Sequence, residues 1–226
     1  MEKETTHTVG ALLSDFSACI ATLPANGEQT AICDADEYVR EAKRKAAIER
    51  YRIICPPDYR NTNWQHANLA PYSAQINAIL GWKYQAKGII AAGPTGCGKT
   101  RALWELYRRL TCEDIVDARF YHAADWFSTL QMQLVYGRDE AQGWVEAVAD
   151  RRVVFIDDFG QDAINSSKTD WAAGWFFRFL DLRVGKRLPV IMSTNLHSKE
   201  FSGELRGDPM VRRLLDVCDP VKFWSA

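Results

Sequence analysis

The chain has no C-x-x-C pair, no long apolar run and almost no net charge, and each lack excludes a class of protein. Its six cysteines (19, 33, 55, 97, 112 and 218) are scattered, and its four histidines (7, 66, 122 and 197) do not cluster with them. That spacing excludes a zinc site and predicts reduced thiols in a cytosolic protein. No apolar run approaches the ~20 residues needed to cross a bilayer. Glu2, Glu4 and Asp15 deny the start of the chain the positive, cleanly apolar pattern of a secretory signal. A cytoplasmic protein with no membrane partner is expected. Internal repeats and low-complexity tracts are absent as well.

The 28 basic and 29 acidic side chains give a net charge of −1, which argues against a strongly basic nucleic-acid binder. The charge is uneven, however. Residues 1–38 carry Lys3 against seven acids, a net of −6, so the remainder of the chain is mildly basic at +5. With 226 residues, 47% of them hydrophobic, the chain can bury one sizeable core.

Val9, Leu12, Leu13, Phe16, Ile20 and Leu23 recur at helical period and predict a first amphipathic helix. Pro24, Asn26 and Gly27 end it, and a polar linker to about Asp34 follows. A second helix is predicted from about Asp34 to Arg52, with Asp36 and Glu37 in its first turn. It carries a basic run of Arg40, Lys43, Arg44 and Lys45. Pro56–Pro57 stops it, and the stretch to about Ala70 reads as irregular. A helical N-terminal extension, residues 1–54, is thus separated from a core, residues 55–226.

From Gly88 the chain alternates between strands and helices. Strands are predicted at Gly88–Ala92, Ala118–Tyr121, Arg152–Asp157, Leu188–Thr194 and Val221–Trp224. Helices are predicted at Lys99–Leu110, Ala123–Tyr136, Glu140–Val148, Thr169–Arg183 (with Trp171, Trp175, Phe179 and Leu182 inward) and Pro209–Val217. The alternation predicts an α/β fold with a parallel sheet between helices. The eight tryptophans sit mostly at helical spacing with other apolar residues and read as core.

The strongest chemical signal is Gly93-Pro94-Thr95-Gly96-Cys97-Gly98-Lys99-Thr100. It matches G-x-x-x-x-G-K-[ST] after a strand and opens a helix, the context of a P-loop. Its glycines let backbone N–H groups wrap phosphates at a helix N-terminus. Lys99 is placed to reach the β- and γ-phosphates of ATP, and Thr100 to bind Mg²⁺. A second apolar strand ends in Asp157-Asp158, a Walker B pattern. Here Asp157 serves Mg²⁺, and Asp158 acts as general base for water. A third strand ends in Ser193-Thr194-Asn195, where Asn195 can orient water or sense the γ-phosphate. In an open α/β sheet, ligands bind beyond the carboxyl ends of strands. Arg206, Arg212 and Arg213 follow, any one of which could stabilise charge on a neighbouring subunit's nucleotide.

The order GPTGCGKT, VVFIDDFG, VIMSTN, VRRLLDVCDPVKF resembles the AAA+ ATPases of the DnaC-type helicase-loader and IstB-type transposition-helper group, over about residues 55–224. The segment Pro56-Pro57-Asp58-Tyr59-Arg60 and the Asp-Asp form of Walker B belong to the resemblance. It implies a five-stranded sheet of order 5-1-4-3-2, a homo-oligomeric ring or spiral, and Arg213 as the arginine finger; in a departure from the wider pattern, no C-terminal helical lid is expected after the last strand. It also implies replication work, with a replicative helicase or a transposase as partner and weak contact to single-stranded DNA. Family members touch DNA through helices between the second and third strands, but here that region offers only Arg138. Two other readings are a nucleotide-gated scaffold with little hydrolysis and a small-molecule P-loop kinase. The kinase would need an arginine-rich lid, which the chain lacks.

Overall fold

The computed structural model describes residues 28–160, 170–196 and 208–224. Five strands form one parallel sheet: β1 Gly88–Ala92, β2 Ala118–His122, β3 Val153–Phe159, β4 Val190–Thr194 and β5 Cys218–Lys222. Their order is β2-β3-β4-β1-β5, which is 5-1-4-3-2 read from the other edge, as expected. Helices α1 Glu28–Ile54, α2 Pro57–Arg60, α3 Ser73–Leu80 and α4 Lys99–Arg108 precede β2 in the chain. Helices α5 Ala123–Tyr136, α6 Arg138–Ala149, α7 Asp170–Lys186 and α8 Asp208–Val217 follow it.

The strands are buried on both faces, so their side chains divide by period two. Ile90, Val154, Ile156, Val190 and Met192 point into one apolar cluster, with α5 to α8. Ile89, Val153, Phe155 and Ile191 point into the other, with α3, α4 and the end of α1. On that side Trp104 stacks on Phe120 at 3.6 Å, and Tyr51 meets Trp104 edge-on. Trp82, Trp104 and Trp126 are buried, while Trp64, Trp144, Trp171 and Trp175 pack partly covered at the rims.

The structure departs from the sequence reading at several places. The predicted linker to Asp34 is helical from Glu28. Glu28, Gln29 and Ala31 are good helix formers, and Glu28 suits a first turn. The helix predicted at 9–23 lies outside the described residues. Helix α3 falls between Ala70 and Gly88, a segment given no element in the sequence reading, and Ile76 and Ile79 form its buried face. Helix α4 stops at Arg108 and widens into a π-turn, Arg109–Glu113. In α7 the fully covered side chains are Ala172, Phe176, Phe179, Leu180 and Arg183, whereas Trp171, Trp175 and Leu182 are only partly covered. The last strand starts earlier than predicted and includes Asp219 and Pro220. Both disfavour strands, but β5 is an edge strand, where a missing N–H is tolerated. The chain divides into two units between Ala42 and Lys43, inside α1.

Candidate active site

β1 runs straight into the Gly93–Gly98 loop, which opens α4. Gly98 caps that helix with φ +92°, a left-handed conformation that side chains avoid. Gly93 is needed for closeness: a Cβ there would stand 2.3 Å from Phe223 Cβ, after β5. Its N–H donates to the Thr194 carbonyl at 3.1 Å, which ties the loop to the end of β4. Thr95 and Gly96 are exposed at the loop tip, and Cys97 is buried with its Sγ 3.0 Å from the Pro94 carbonyl.

Lys99 is buried, and burial pulls its ammonium pKa below the usual lysine value. Its Nζ donates to the carbonyls of Gly93 and Pro94 and to Asn195 Oδ1, each at 2.7 Å. The ends of β1 and β4 thus meet at one cation.

β3 supplies the acids. Asp157 is 4% exposed, and desolvation pushes its carboxyl pKa up. Two hydroxyls act the other way: Ser193 Oγ donates to Asp157 Oδ1 at 2.5 Å, and Thr100 Oγ1 donates to the same oxygen at 3.1 Å. Asp158 has φ +56°, uncommon for a residue with a side chain, and the β3–β4 register shifts between Ile156 and Phe159. A backbone bond from Asp158 N–H to Ser193 Oγ at 2.9 Å holds that turn. Asn195 Nδ2 donates to Asp158 Oδ1 at 2.9 Å, and His122 Nε2 stands 3.8 Å from Asp158 Oδ2. The bulge turns Asp158 into the cleft while Asp157 stays against Thr100.

Around these groups lies a cleft of about 820 Å³. Lys99, Thr100, Asp157, Asp158 and Asn195, all singled out from the sequence, line it together. Sequence reasoning left out Tyr59, Trp104, Phe120, His122 and Ser193 from the site, and these line it too. His122 had one legible signal, its place at the end of a predicted strand beside the Asp pair. Tyr59 lay in the Pro56–Arg60 segment that carried the family resemblance, whereas Trp104 and Phe120 had no signal, because their convergence is tertiary.

Arg213 does not line the cleft. Its Nε lies 3.0 Å from Asp181 Oδ1 on α7, and its Nη1 is 3.6 Å from Asp216 Oδ2. Arg212 is exposed. Arg206 lies outside the described residues.

These residues fit a nucleotide phosphate chain and Mg²⁺. Gly96 and Gly98 hold left-handed backbone, φ +84° and +92°, the kind of turn in which successive N–H groups form an anion-binding concavity. A hydroxyl and a carboxylate converge at Thr100 and Asp157, a small oxygen donor set that suits a cation which keeps its waters. Among the described residues no cluster of three or more His, Cys, Asp or Glu forms a self-sufficient metal cage. No described helix is long and apolar enough to cross a membrane.

Comparison with known proteins agrees with this geometry. No curated protein sequence matches the chain. The fold is similar to the crystal structure of the DnaC helicase loader, with a TM-score of 0.58 and 18% identity, covering 74% of this chain and 99% of that one. DnaI is similar at 0.57 and 17%, covering 75% and 94%. Replication initiator DnaA bound to AMPPCP and single-stranded DNA is similar at 0.54 and 16%, covering 76% of this chain and 52% of that one. These likenesses show the AAA+ P-loop fold. The model of the IstB-like ATP binding protein family matches residues 29–221, and with the phosphate loop and acid pair in place the chain belongs to that family.

Proposed function

We propose that the protein is a Mg²⁺-dependent ATPase that works as a cytoplasmic homo-oligomer in DNA replication, loading a replicative helicase. The observation that carries the reading is the convergence of Lys99, Thr100, Asp157, Asp158 and Asn195 on one cleft at the carboxyl ends of β1, β3 and β4. The loader role draws support from the likeness to DnaC and DnaI. Membership of the IstB-like family favours a transposase as the other partner, on the same ATPase core.

In the proposed reaction a water oxygen bonds to the γ-phosphorus of ATP and the bond to the ADP oxygen breaks. Lys99 exchanges its loop carbonyls for phosphate oxygens and balances charge that builds in the transition state. Thr100 and Asp157 hold Mg²⁺, which neutralises phosphate charge. Asp158 takes the proton of the attacking water, and Asn195 keeps its carboxylate oriented. Arg213, released from Asp181, reaches the nucleotide of an adjacent subunit. The helix predicted at 9–23, within the 1–54 extension, docks the partner, with packing on the ATPase core as the alternative.

Steady-state ATP turnover tests this reading directly. Asp158→Asn fits the left-handed turn and keeps the shape of the site. It is expected to bind ATP as the wild type does and to lose at least ~100-fold in turnover. Arg213→Ala is expected to retain ATP binding and lose hydrolysis. Undiminished turnover in Asp158→Asn rejects the assigned base, and unchanged turnover in Arg213→Ala rejects a finger at that position.

A further inference from the structure

The carboxyl end of β4 delivers Asn195 to the cleft, and the two residues before it are buried hydroxyls. β4 pairs Met192 with Ile156 and next Thr194 with Phe159. Two residues of β3, Asp157 and Asp158, thus stand opposite one, Ser193, which makes the register shift a bulge. The ladder cannot hold the extra residue, and Asp158 lies there at φ +56°. A side chain in that region persists only where its surroundings over-determine it. Here the hydroxyls do so. Ser193 Oγ accepts the Asp158 N–H at 2.9 Å while it donates to Asp157 Oδ1. Thr194 Oγ1 donates to the Phe159 carbonyl at 2.8 Å while it accepts the Leu196 N–H at 3.1 Å. Leu196 then covers Gly160, where a Cβ would stand 2.3 Å from Leu196 Cδ1. A hydroxyl accepts and donates at once, so each of these residues ties two groups together.

We infer that Ser193 and Thr194 are positioning residues, a hydroxyl clamp that holds the Asp158 backbone in its left-handed turn. The clamp aims the Asp158 carboxylate into the cleft while Asp157 stays against Thr100. The inference rests on the reading of Asp158 as the base of an ATPase and adds what fixes that base in place. Its action differs from that of Asn195, which bonds the carboxylate itself. Thr194 does not line the cleft and acts only through the backbone it bonds. Its own carbonyl accepts the Gly93 N–H at 3.1 Å. One buried strand end therefore sets the phosphate loop and the base relative to each other. A base displaced by a fraction of its reach loses rate without losing substrate affinity.

Amide hydrogen exchange over residues 153–160, with ATP turnover on the same samples of the full chain, tests this. Ser193→Ala is expected to speed exchange at Asp158 ~10-fold or more and to leave β1 at the wild-type rate. Its kcat is expected to fall ~10-fold or more with the KM for ATP within ~3-fold. Thr194 separates bonding from packing. Thr194→Ser keeps the hydroxyl and is expected to stay within ~3-fold in turnover, whereas Thr194→Val keeps the shape and is expected to lose ~10-fold. Ser193→Ala added to Asp158→Asn is expected to slow turnover no further, because both act through one carboxylate. The clamp is overturned if Ser193→Ala leaves Asp158 exchange unchanged, or if Thr194→Val keeps turnover and Thr194→Ser loses it. It is equally overturned if Ser193→Ala slows Asp158→Asn by the same factor as it slows wild type. Wild-type turnover in Asp158→Asn, with Asp158 exchange freed by Ser193→Ala, refutes the assigned base and keeps the clamp on the turn.

Discussion

Lys99 Nζ and Asn195 Oδ1 are 2.7 Å apart, although the two residues are 96 positions apart in the chain. The same Asn195 gives its amide N–H to Asp158. One side chain thus touches both the loop lysine and the proposed base. Asn195→Ala is expected to leave the KM for ATP within ~3-fold and to lower kcat ~100-fold, the size of effect of losing one preorganised donor. A rise in KM with kcat intact would assign Asn195 to ground-state binding instead.

Asp157 yields a pH prediction. Burial raises its carboxyl pKa in the folded chain above the unfolded value. Folding therefore favours the protonated form. The stability from this group is full below the unfolded pKa and is lost as pH rises through the folded one. Asp157→Asn, without Mg²⁺, is expected to raise Tm by about 2–4 °C at neutral pH and to flatten that decline. Thermal melts across pH 4–8 check it. The same variant is expected to abolish Mg²⁺-supported turnover.

Gly93 is a steric gate. Gly93→Ala is expected to destabilise the fold by ~1–3 kcal/mol, because the added methyl meets Phe223 Cβ and the backbone behind it. Gly96→Ala meets nothing within 4 Å and is strained only by its φ of +84°, so ~1–2 kcal/mol is expected there. Urea denaturation of the two variants separates crowding from backbone strain.

Arg183 is fully buried and bonds the carbonyls of Ala149, Arg151, Arg152 and Pro189. Burial lowers its pKa to about 10. This side chain pins the entries of β3 and β4 together at the end of the sheet away from the cleft. Arg183→Met is expected to cost ~3–5 kcal/mol, since it strands several buried carbonyls. Equilibrium unfolding measures the loss, and a cost under ~1 kcal/mol would show that water replaces the guanidinium.

Much of the fold was legible because periodicity and punctuation agreed. β1 and α5 have the predicted bounds, since a short apolar run and an amphipathic run are local patterns. α3 and the start of β5 were not. The first is only eight residues long, too short for its apolar residues to display a helical period, and the second contains Asp219 and Pro220, which only an edge position excuses. In α7 the predicted inward stripe holds at Phe179, while Trp171, Trp175 and Leu182 pack at its partly covered margin. Size alone does not decide burial; the facing strands do, and they cover Phe176, Phe179 and the charged Arg183.

The phosphate loop and the acid pair were determined by the sequence itself, because their chemistry needs fixed residue types at fixed short spacing. Sequence also determined the strand–helix alternation that puts three strand ends on one side. Tertiary structure alone decided which side chains meet there. The β3 bulge turns Asp158 away from Asp157, Ser193 bonds both residues, and Asn195 bridges to Lys99. It alone placed Arg213 against Asp181. Those contacts join residues from separate elements, and their distances follow from strand order and helix packing, which no local pattern in the chain encodes. The near-zero net charge shows the same division. The sequence counts the charges, while the fold decides which of them meet, as Arg108 does with Glu105 and Glu113.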